Sequence, residues 1–216
     1  MTEKYYDVAI IGAGITGSCI ARELSKTNAS ICLIEKEDDV SCGSSKANSG
    51  IVHAGYDAEN GTLMAKYNVR GSEIFEDLSK KLNFDYKRIG SLVLAFDEDG
   101  RKKIQTLLER GNKNGVKQLR IVEQEELRQM EPNISEEAVA ALYAPTAAII
   151  SPYQTTWAFA ESAVINGTDF LRSTKVHSIK KADDGTFTLD TTKGEIKAKY
   201  VVNAAGLFAD KISEMA

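Results

Sequence analysis

The sequence predicts an α/β fold in which a parallel sheet is followed by a three-stranded antiparallel meander. The apolar run Asp7–Ile11 leads into the spacing Gly-x-Gly-x-x-Gly, and a helical stretch comes next. A second apolar run, 30–34, ends at Glu35, and three short strand patterns occupy 175–202. Because strand, crossover helix and strand in succession give a parallel pair, the first part of the chain predicts a βαβ unit.

The glycine triplet after the first strand is typical of a Rossmann-like site for a dinucleotide. Gly12 would make the tight turn, Gly14 would let the backbone approach a pyrophosphate, and Gly17 would let the helix pack closely on the strand. The phosphates would then lie over free N–H groups at the positive end of the helix dipole. Glycine triplets also occur in ordinary turns, so a coincidental βαβ turn is the alternative.

Glu35 indicates which dinucleotide the site would take. A carboxylate at the end of the second strand can accept hydrogen bonds from the hydroxyls of an adenosine ribose, and its charge would repel a 2′-phosphate. The sequence therefore predicts FAD or NAD and argues against NADP.

Composition and charge exclude several other classes of function. The 216 residues carry 27 Lys and Arg against 31 Asp and Glu, a net charge of −4, and they contain no basic block. Because phosphate neutralisation requires clustered cations, nucleic acid is not the expected partner. No apolar run approaches the roughly 18 residues of a membrane span.

The expected location is the cytoplasm, with peripheral attachment to a membrane as the alternative. The first strand begins by Tyr6, which leaves no room for a signal peptide. The three cysteines lack metal-ligand spacing and are odd in number, which indicates reduced thiols. No metal site is expected.

A polar loop and an apolar segment follow Glu35. The loop 41–50 is dense in Ser, Asn and Gly, whose N–H and hydroxyl groups can converge on an anion. A solvated surface loop is the usual alternative. Because the apolar segment 51–56 comes directly after it, we favour a loop that wraps the ligand.

The middle of the chain predicts helices interspersed with short strands. A helix over 63–83 carries an apolar stripe that includes Leu63, Met64 and Tyr67. Asp97 is the predicted N-cap of a second helix. The remaining elements are strands at 86–89, 91–96, 138–144 and 147–150 and helices at 97–114, 124–130 and 151–166.

The last part of the chain predicts the antiparallel meander. Its strands, 175–179, 186–189 and 196–202, are separated by residues that suit hairpin turns, including Gly185 and Gly194. The third strand runs into Asn-Ala-Ala-Gly and a terminal helix, so a strand–glycine–helix pattern recurs at the end.

Three separated segments together resemble the FAD-dependent oxidoreductases of the D-amino-acid-oxidase superfamily. They are 11–17 with Glu35, 44–55, and 201–210, and their order and spacing match that family along essentially the whole chain. The sequence Asn-Ser-Gly-Ile-Val-His-Ala-Gly at 48–55 is most similar to the branch that contains anaerobic-type glycerol-3-phosphate dehydrogenases and L-2-hydroxyglutarate oxidases.

The resemblance implies FAD as the cofactor and assigns residues to it position by position. The three glycines of the first turn would hold the pyrophosphate, and Glu35 would hold the adenosine ribose. The other implied contacts to FAD are Lys36, Ser44, Ser45, Asn48, Ser49, Gly50, Val176, Ala205 and Gly206.

The resemblance also implies a division into domains. Residues 1–84 and 151–216 would form the FAD-binding domain, and 85–150 would supply part of a mixed-sheet substrate domain. Members of the family continue past the second glycine segment, whereas this sequence stops at Ala216. The chain therefore resembles the N-terminal part of such an enzyme, and a partner chain or a missing C-terminal half would complete it.

The activity implied by the resemblance is FAD-dependent oxidation of a secondary alcohol on a small anionic substrate. Glycerol 3-phosphate, oxidised to dihydroxyacetone phosphate, is the first expectation, and L-2-hydroxyglutarate or another 2-hydroxy acid is the second. Rival interpretations are an amino-acid oxidase, a non-catalytic FAD-binding fragment or subunit, and an NAD-dependent dehydrogenase, which segments 44–55 and 203–210 disfavour. The electron acceptor (oxygen, a quinone or a redox protein) stays open.

His53 is the one catalytic residue that the sequence nominates. It lies in an apolar segment beside the implied flavin. It could be a hydrogen-bonded structural group, a group that tunes the flavin or takes the substrate proton, or a point of covalent flavin attachment.

Overall fold

A computed structural model of the chain describes residues 4–216, and these form two compact units. The first unit contains the chain up to Ser49, the short piece Leu82–Phe84, and Ser151–Ala216. The second contains Gly50–Lys81 and Asp85–Ile150. Residues 50–81 thus belong to the second compact unit. The sequence-based division by function instead begins the substrate domain at residue 85, and that division stays a prediction.

The strands, in chain order, are β1 Lys4–Ile11, β2 Ile31–Ile34, β3 Ile51–Val52, β4 Tyr86–Lys87, β5 Ser91–Ala95, β6 Arg120–Glu123, β7 Ala140–Ala144, β8 Ala148–Ile150, β9 Asp169–Leu171, β10 Val176–Lys181, β11 Phe187–Thr191 and β12 Gly194–Asn203. The helices are α1 Ile15–Leu24, α2 Leu63–Leu82, α3 Glu98–Asn114, α4 Gln124–Met130, α5 Pro152–Ile165 and α6 Ala209–Ser213, and a 3-10 turn covers Gly206–Phe208. Within the described residues, no helix is both long and apolar enough to cross a membrane.

The first unit is built on a six-stranded sheet in the order β10-β11-β12-β1-β2-β9. β1 runs parallel to both of its neighbours, and β9 runs parallel to β2. The register opposes Ile11 to Ile34 on one side and to Asn203 on the other. The carboxyl ends of β2, β1 and β12 are therefore level, and the segments that follow these strands emerge together.

Both faces of β1 are buried, which explains its nearly continuous apolar sequence. Val8 and Ile10 pack in a cluster that includes Ala21 of α1 and Ala163 of α5. Ala9 and Ile11 belong to a second cluster, whose other members include Leu189 of the meander. The predicted parallel sheet and antiparallel meander are confirmed, whereas β9, only three residues long and begun by a polar residue, was not predicted.

The second unit contains two small sheets, and every strand pair described in it is antiparallel. One sheet has the order β5-β7-β6, and the other has the order β3-β8-β4. Leu142 of β7 packs in a cluster with Ile104 of α3, and Ala141 packs in a separate cluster with Leu127 of α4. Alternate residues of β7 thus bury against different helices.

The observed helix boundaries agree with the sequence-based predictions better than the observed buried faces do. The Asp97 side chain accepts a hydrogen bond from the Gly100 N–H at 2.7 Å, which confirms it as the N-cap of α3. In α2 the predicted stripe is wrong at its start, because Leu63, Met64 and Tyr67 are 69%, 71% and 61% exposed. The buried positions of that helix are Ala65, Ser72 and Ser79, small residues that allow close packing.

Candidate dinucleotide site

The first turn after β1 is tight enough to require glycine at two of its three glycine positions. Gly12 has a φ of +106°, and a Cβ atom added there would lie 2.4 Å from the carbonyl oxygen of Ala204. A Cβ atom on Gly17 would lie 1.9 Å from the carbonyl oxygen of Gly12. Both distances are far below van der Waals contact with backbone, so β1, α1 and the segment after β12 approach as closely as the glycine spacing predicts.

The third glycine faces a hydroxyl group from the polar loop. A Cβ atom on Gly14 would lie 2.9 Å from Ser45 Oγ, and the N–H of Ile15 donates to that same oxygen at 2.9 Å. Gly14 is the N-cap of α1 and has no side chain to cap it. Ser45 therefore supplies the capping oxygen from a distant position in the sequence.

The Ala13 peptide within the turn is held at both of its polar atoms. Its N–H donates to Glu35 Oε2 at 2.8 Å, and its carbonyl oxygen accepts from the Ser41 N–H at 3.0 Å and the Ser18 hydroxyl at 3.4 Å. Glu35 is 9% exposed, and its other oxygen accepts the Glu37 N–H at 3.1 Å. The predicted ribose ligand is thus also a support of the glycine turn.

The polar loop has one buried anchor that its sequence does not reveal. Ser41 is fully buried with a φ of +64°, and its hydroxyl lacks a hydrogen-bond partner within the described residues. By contrast, Ser44, Asn48 and Ser49 are exposed, and the Asn48 amide donates to the Ser44 carbonyl oxygen at 3.1 Å. The loop contacts the turn through Ser41 and the half-buried Ser45, whereas the exposed side chains lie accessible to solvent.

Two residues of the predicted site belong to the second unit. Gly50, with a φ of +66°, accepts the Ile150 N–H on its carbonyl oxygen at 2.9 Å. His53 directly follows β3 and is exposed, which leaves its imidazole accessible to a ligand.

The segment after β12 joins the turn through its backbone. The Ala204 N–H donates to the carbonyl oxygen of Ile11 at 2.9 Å, which extends the parallel ladder by one residue. The side chain of Asn203 then bridges the bend, because it accepts the Ala205 N–H at 3.3 Å and donates to the Ala209 carbonyl oxygen at 2.7 Å. Gly206, with a φ of +57°, completes the change of direction.

The segment after Glu35 is paired with the approach to the meander. Thr174 N–H donates to the Glu35 carbonyl oxygen at 2.7 Å, and Val176, 5% exposed, opens β10 two residues later. The ammonium group of Lys36 lies 4.4 Å from the ring centroid of Phe208, beyond the end of β12. An open pocket of about 420 Å³ adjoins this pairing and is lined by Asp38, Phe170, Leu171, Arg172, Ser173, Thr174 and Lys193.

Most of the predicted dinucleotide residues that belong to the first unit therefore converge on the carboxyl edge of its sheet. Sequence reasoning missed Ser41, Ser18 and Phe208. The isolated positive φ at Ser41 has no sequence signal, whereas Phe208, an aromatic residue soon after the glycine that follows β12, could have been singled out.

A glycine turn at a helix N-terminus, beside a buried carboxylate, suits a dinucleotide. Within the described residues, no group of three acidic, His or Cys side chains could hold a metal ion.

The fold and this edge define an α/β dinucleotide-binding protein. The model of the family "FAD dependent oxidoreductase" (DAO) matches residues 7–216, almost the whole chain. The chain belongs to this family, which confirms the resemblance and identifies FAD as the cofactor.

Comparison with individual proteins adds finer similarities. The chain is 51% identical over 210 residues to a glycerol 3-phosphate dehydrogenase of Caloramator mitchellensis. This match covers 97% of this chain and 44% of that protein. It is 31% identical over 223 residues to the human mitochondrial L-2-hydroxyglutarate dehydrogenase. That match covers 97% of this chain and 48% of the human protein.

A solved structure supports the same conclusion at the level of the fold. The FAD-bound L-α-glycerophosphate oxidase of Mycoplasma pneumoniae superimposes with a TM-score of 0.93 at 31% identity, over 99% of this chain and 57% of that one. The chain thus spans about half the length of the relatives it matches.

Proposed function

We propose that this protein oxidises glycerol 3-phosphate to dihydroxyacetone phosphate. The observation that carries the proposal is the 51% identity to a glycerol 3-phosphate dehydrogenase over nearly the whole chain. FAD, when bound, supplies the two-electron acceptor for the hydride that leaves the substrate carbon. The protein's share is to bind the cofactor, orient the substrate and accept the hydroxyl proton.

The residues that we propose for binding FAD are those that the family resemblance assigns, and the geometry of the carboxyl edge supports those of the first unit. The glycine turn lies at the N-terminus of α1, where the helix dipole favours a phosphate. The Glu35 carboxylate retains acceptor capacity beyond its two backbone hydrogen bonds. The proposed set is Gly12, Gly14, Gly17, Glu35, Lys36, Ser44, Ser45, Asn48, Ser49, Gly50, Val176, Ala205 and Gly206.

For the proton acceptor we propose His53. Its imidazole is exposed, and an imidazole nitrogen can accept a proton from a substrate hydroxyl, which suits a general base. His53→Gln should leave FAD bound and slow flavin reduction by about 100-fold or more. The matched control is His177→Gln, because His177 is also exposed but lies on β10 of the meander.

The test of the function is anaerobic addition of glycerol 3-phosphate to the FAD-loaded protein, followed by its visible spectrum. Bleaching of the flavin band by this substrate, but not by glycine or sarcosine, is the expected result. A flavin that stays oxidised would contradict the proposal for this chain. The same titration on a protein that includes the further length found in the relatives would then show whether the activity requires it.

L-2-hydroxyglutarate is the second candidate substrate. It is supported by the 31% identity to the human L-2-hydroxyglutarate dehydrogenase. Both candidates are small anions with a secondary alcohol, so a parallel titration separates them directly. Faster bleaching by L-2-hydroxyglutarate would replace the first proposal with the second.

Three further features belong to the proposal. The electron acceptor is oxygen, a quinone or a redox protein, and reoxidation rates with each would identify it. The location is the cytoplasm or the surface of a membrane. The mass of the denatured protein decides whether the flavin is attached covalently, because a covalent flavin would add its mass to that of the polypeptide.

A further inference from the structure

An exposed aromatic ring connects the segments that follow β2 and β12. Phe208 lies in the 3-10 turn after β12 and is 46% exposed. The Nζ atom of Lys36 lies 4.4 Å from its ring centroid, and the Nζ atom of Lys211 lies 5.5 Å from it. One ring therefore interacts with two ammonium groups at the edge where the dinucleotide residues converge.

The ring restricts where the Lys36 charge can lie. A lysine side chain has four rotatable bonds and, when exposed, samples many positions. An ammonium group within about 6 Å of a ring centroid is attracted by the negative face of the ring. The carboxylate of Glu37, 3.3 Å from Lys36 Nζ, adds a second restraint. These two contacts favour one position for the Lys36 ammonium group although its side chain is 45% exposed.

We propose that Phe208 is a positioning residue that holds the ammonium group of Lys36 for the adenosine half of FAD. This inference rests on the proposed binding of FAD at the carboxyl edge. Lys36 directly follows Glu35, the proposed ribose ligand, and the adenosine half of FAD carries a phosphate next to its ribose. An ammonium group held at that point attracts the phosphate and makes a charge-assisted hydrogen bond to it.

Comparison of FAD with FMN tests this assignment, because FMN lacks the adenosine half. The dissociation constants of both are measured by quenching of flavin fluorescence. Lys36→Met should weaken FAD binding by about tenfold, and Phe208→Leu should weaken it by about two- to fivefold. Neither substitution should change FMN binding, and Phe208→Trp should restore the affinity for FAD.

The decisive arm is the double variant. If Phe208 acts through Lys36, then Phe208→Leu in the Lys36→Met background should leave FAD binding as it is in Lys36→Met alone. Lys181→Met is the matched control, because Lys181 Nζ lies 5.6 Å from the Phe187 ring centroid in the meander. Its FAD and FMN affinities should equal those of the unaltered protein.

Two results would overturn the inference alone: additive effects in the double variant, or equal losses for FAD and FMN. An unaltered protein that binds no FAD would overturn the proposed function and the inference with it. Melting temperatures of the variants without flavin, which should match that of the unaltered protein, separate a positioning effect from loss of the fold.

Discussion

The glycine turn of the first unit and the loop 53–61 of the second unit are both irregular, but they are fixed in different ways. In the turn, backbone meets backbone, and Gly12 and Gly17 are required because a Cβ atom would collide with main-chain oxygens. In the loop, side chains reach in from α3. Asn114 donates to the carbonyl oxygens of Gly55 and Ala58 at 3.0 and 2.8 Å, and Arg110 donates to that of Asp57 at 3.0 Å.

This difference determines what each region tolerates. A backbone contact leaves no side chain to adjust, so the turn should be intolerant of an added atom at Gly12 or Gly17. The loop is held by separate hydrogen bonds, each of which can be removed singly at a modest cost. The predictions below test this contrast, and they run from the largest expected effect to the smallest.

Gly17→Ala should destabilise the protein most. The added methyl group would lie 1.9 Å from the Gly12 carbonyl oxygen, so α1 must shift from β1, at an expected cost of about 3 kcal/mol. Urea denaturation measures this loss. Gly43→Ala is the control, since nothing lies within 4 Å of its Cβ position, and its stability should change by less than about 0.5 kcal/mol.

Asn114→Ala should cost less and should act on the second unit. It removes the donor to the carbonyl oxygens of Gly55 and Ala58 and one of the two acceptors of the Asn60 amide, which should cost about 2 kcal/mol in the free energy of unfolding. Asn112→Ala, on an exposed position of the same helix, is the control. A loss as large as that of Gly17→Ala would remove the contrast between the two regions.

Ser45→Ala probes the side chain that caps the start of α1 beside the glycine turn. It removes the oxygen that accepts the Ile15 N–H, and the loss of a helix cap should cost about 1 kcal/mol. Ser44→Ala serves as the control, because Ser44 is exposed and its carbonyl contact survives the change. Equal melting temperatures for the two variants would show that the turn needs no cap.

The ion pair of Asp7, beside the start of β2, should show the smallest effect, as a dependence of stability on pH. Hydrogen bonds from Lys199 and from the N–H and hydroxyl of Ser30 lower the pKa of Asp7 from 3.8 to about 2. Because the folded state lowers this pKa, the contribution is complete above pH 3.8 and is lost as the pH falls through about 2. As the pH falls from 3.8 to about 2, the melting temperature of Asp7→Asn should fall less steeply than that of the unaltered protein.

The contrast also explains how much could be predicted from the sequence. The glycine spacing, the strand ending at Glu35 and the meander follow from local patterns, and the structure confirms all three. The loop 53–61 could not be predicted, because Asn114 lies far along the chain and nothing in its own neighbourhood indicates a role. For the same reason Ser45 as the cap of α1 and Ser41 as a buried anchor needed the fold.

The α2 helix illustrates a third kind of limit. Periodicity predicted the helix, but the large apolar residues at its start are exposed and small ones are buried. An apolar stripe gives the buried face only when large side chains fill the space, whereas Ala65, Ser72 and Ser79 allow a close approach instead.

The central claim is that FAD binds at the carboxyl edge of the sheet, where β1, β2 and β12 end at the same level. Amide hydrogen exchange with and without FAD tests it most directly. We predict that FAD slows amide exchange in residues 12–17, 44–50 and 203–206. Exchange in residues 55–61, which form most of the loop 53–61, should stay unchanged. Exchange that is unaffected in all three segments, or slowed mainly elsewhere in the chain, would contradict the claim.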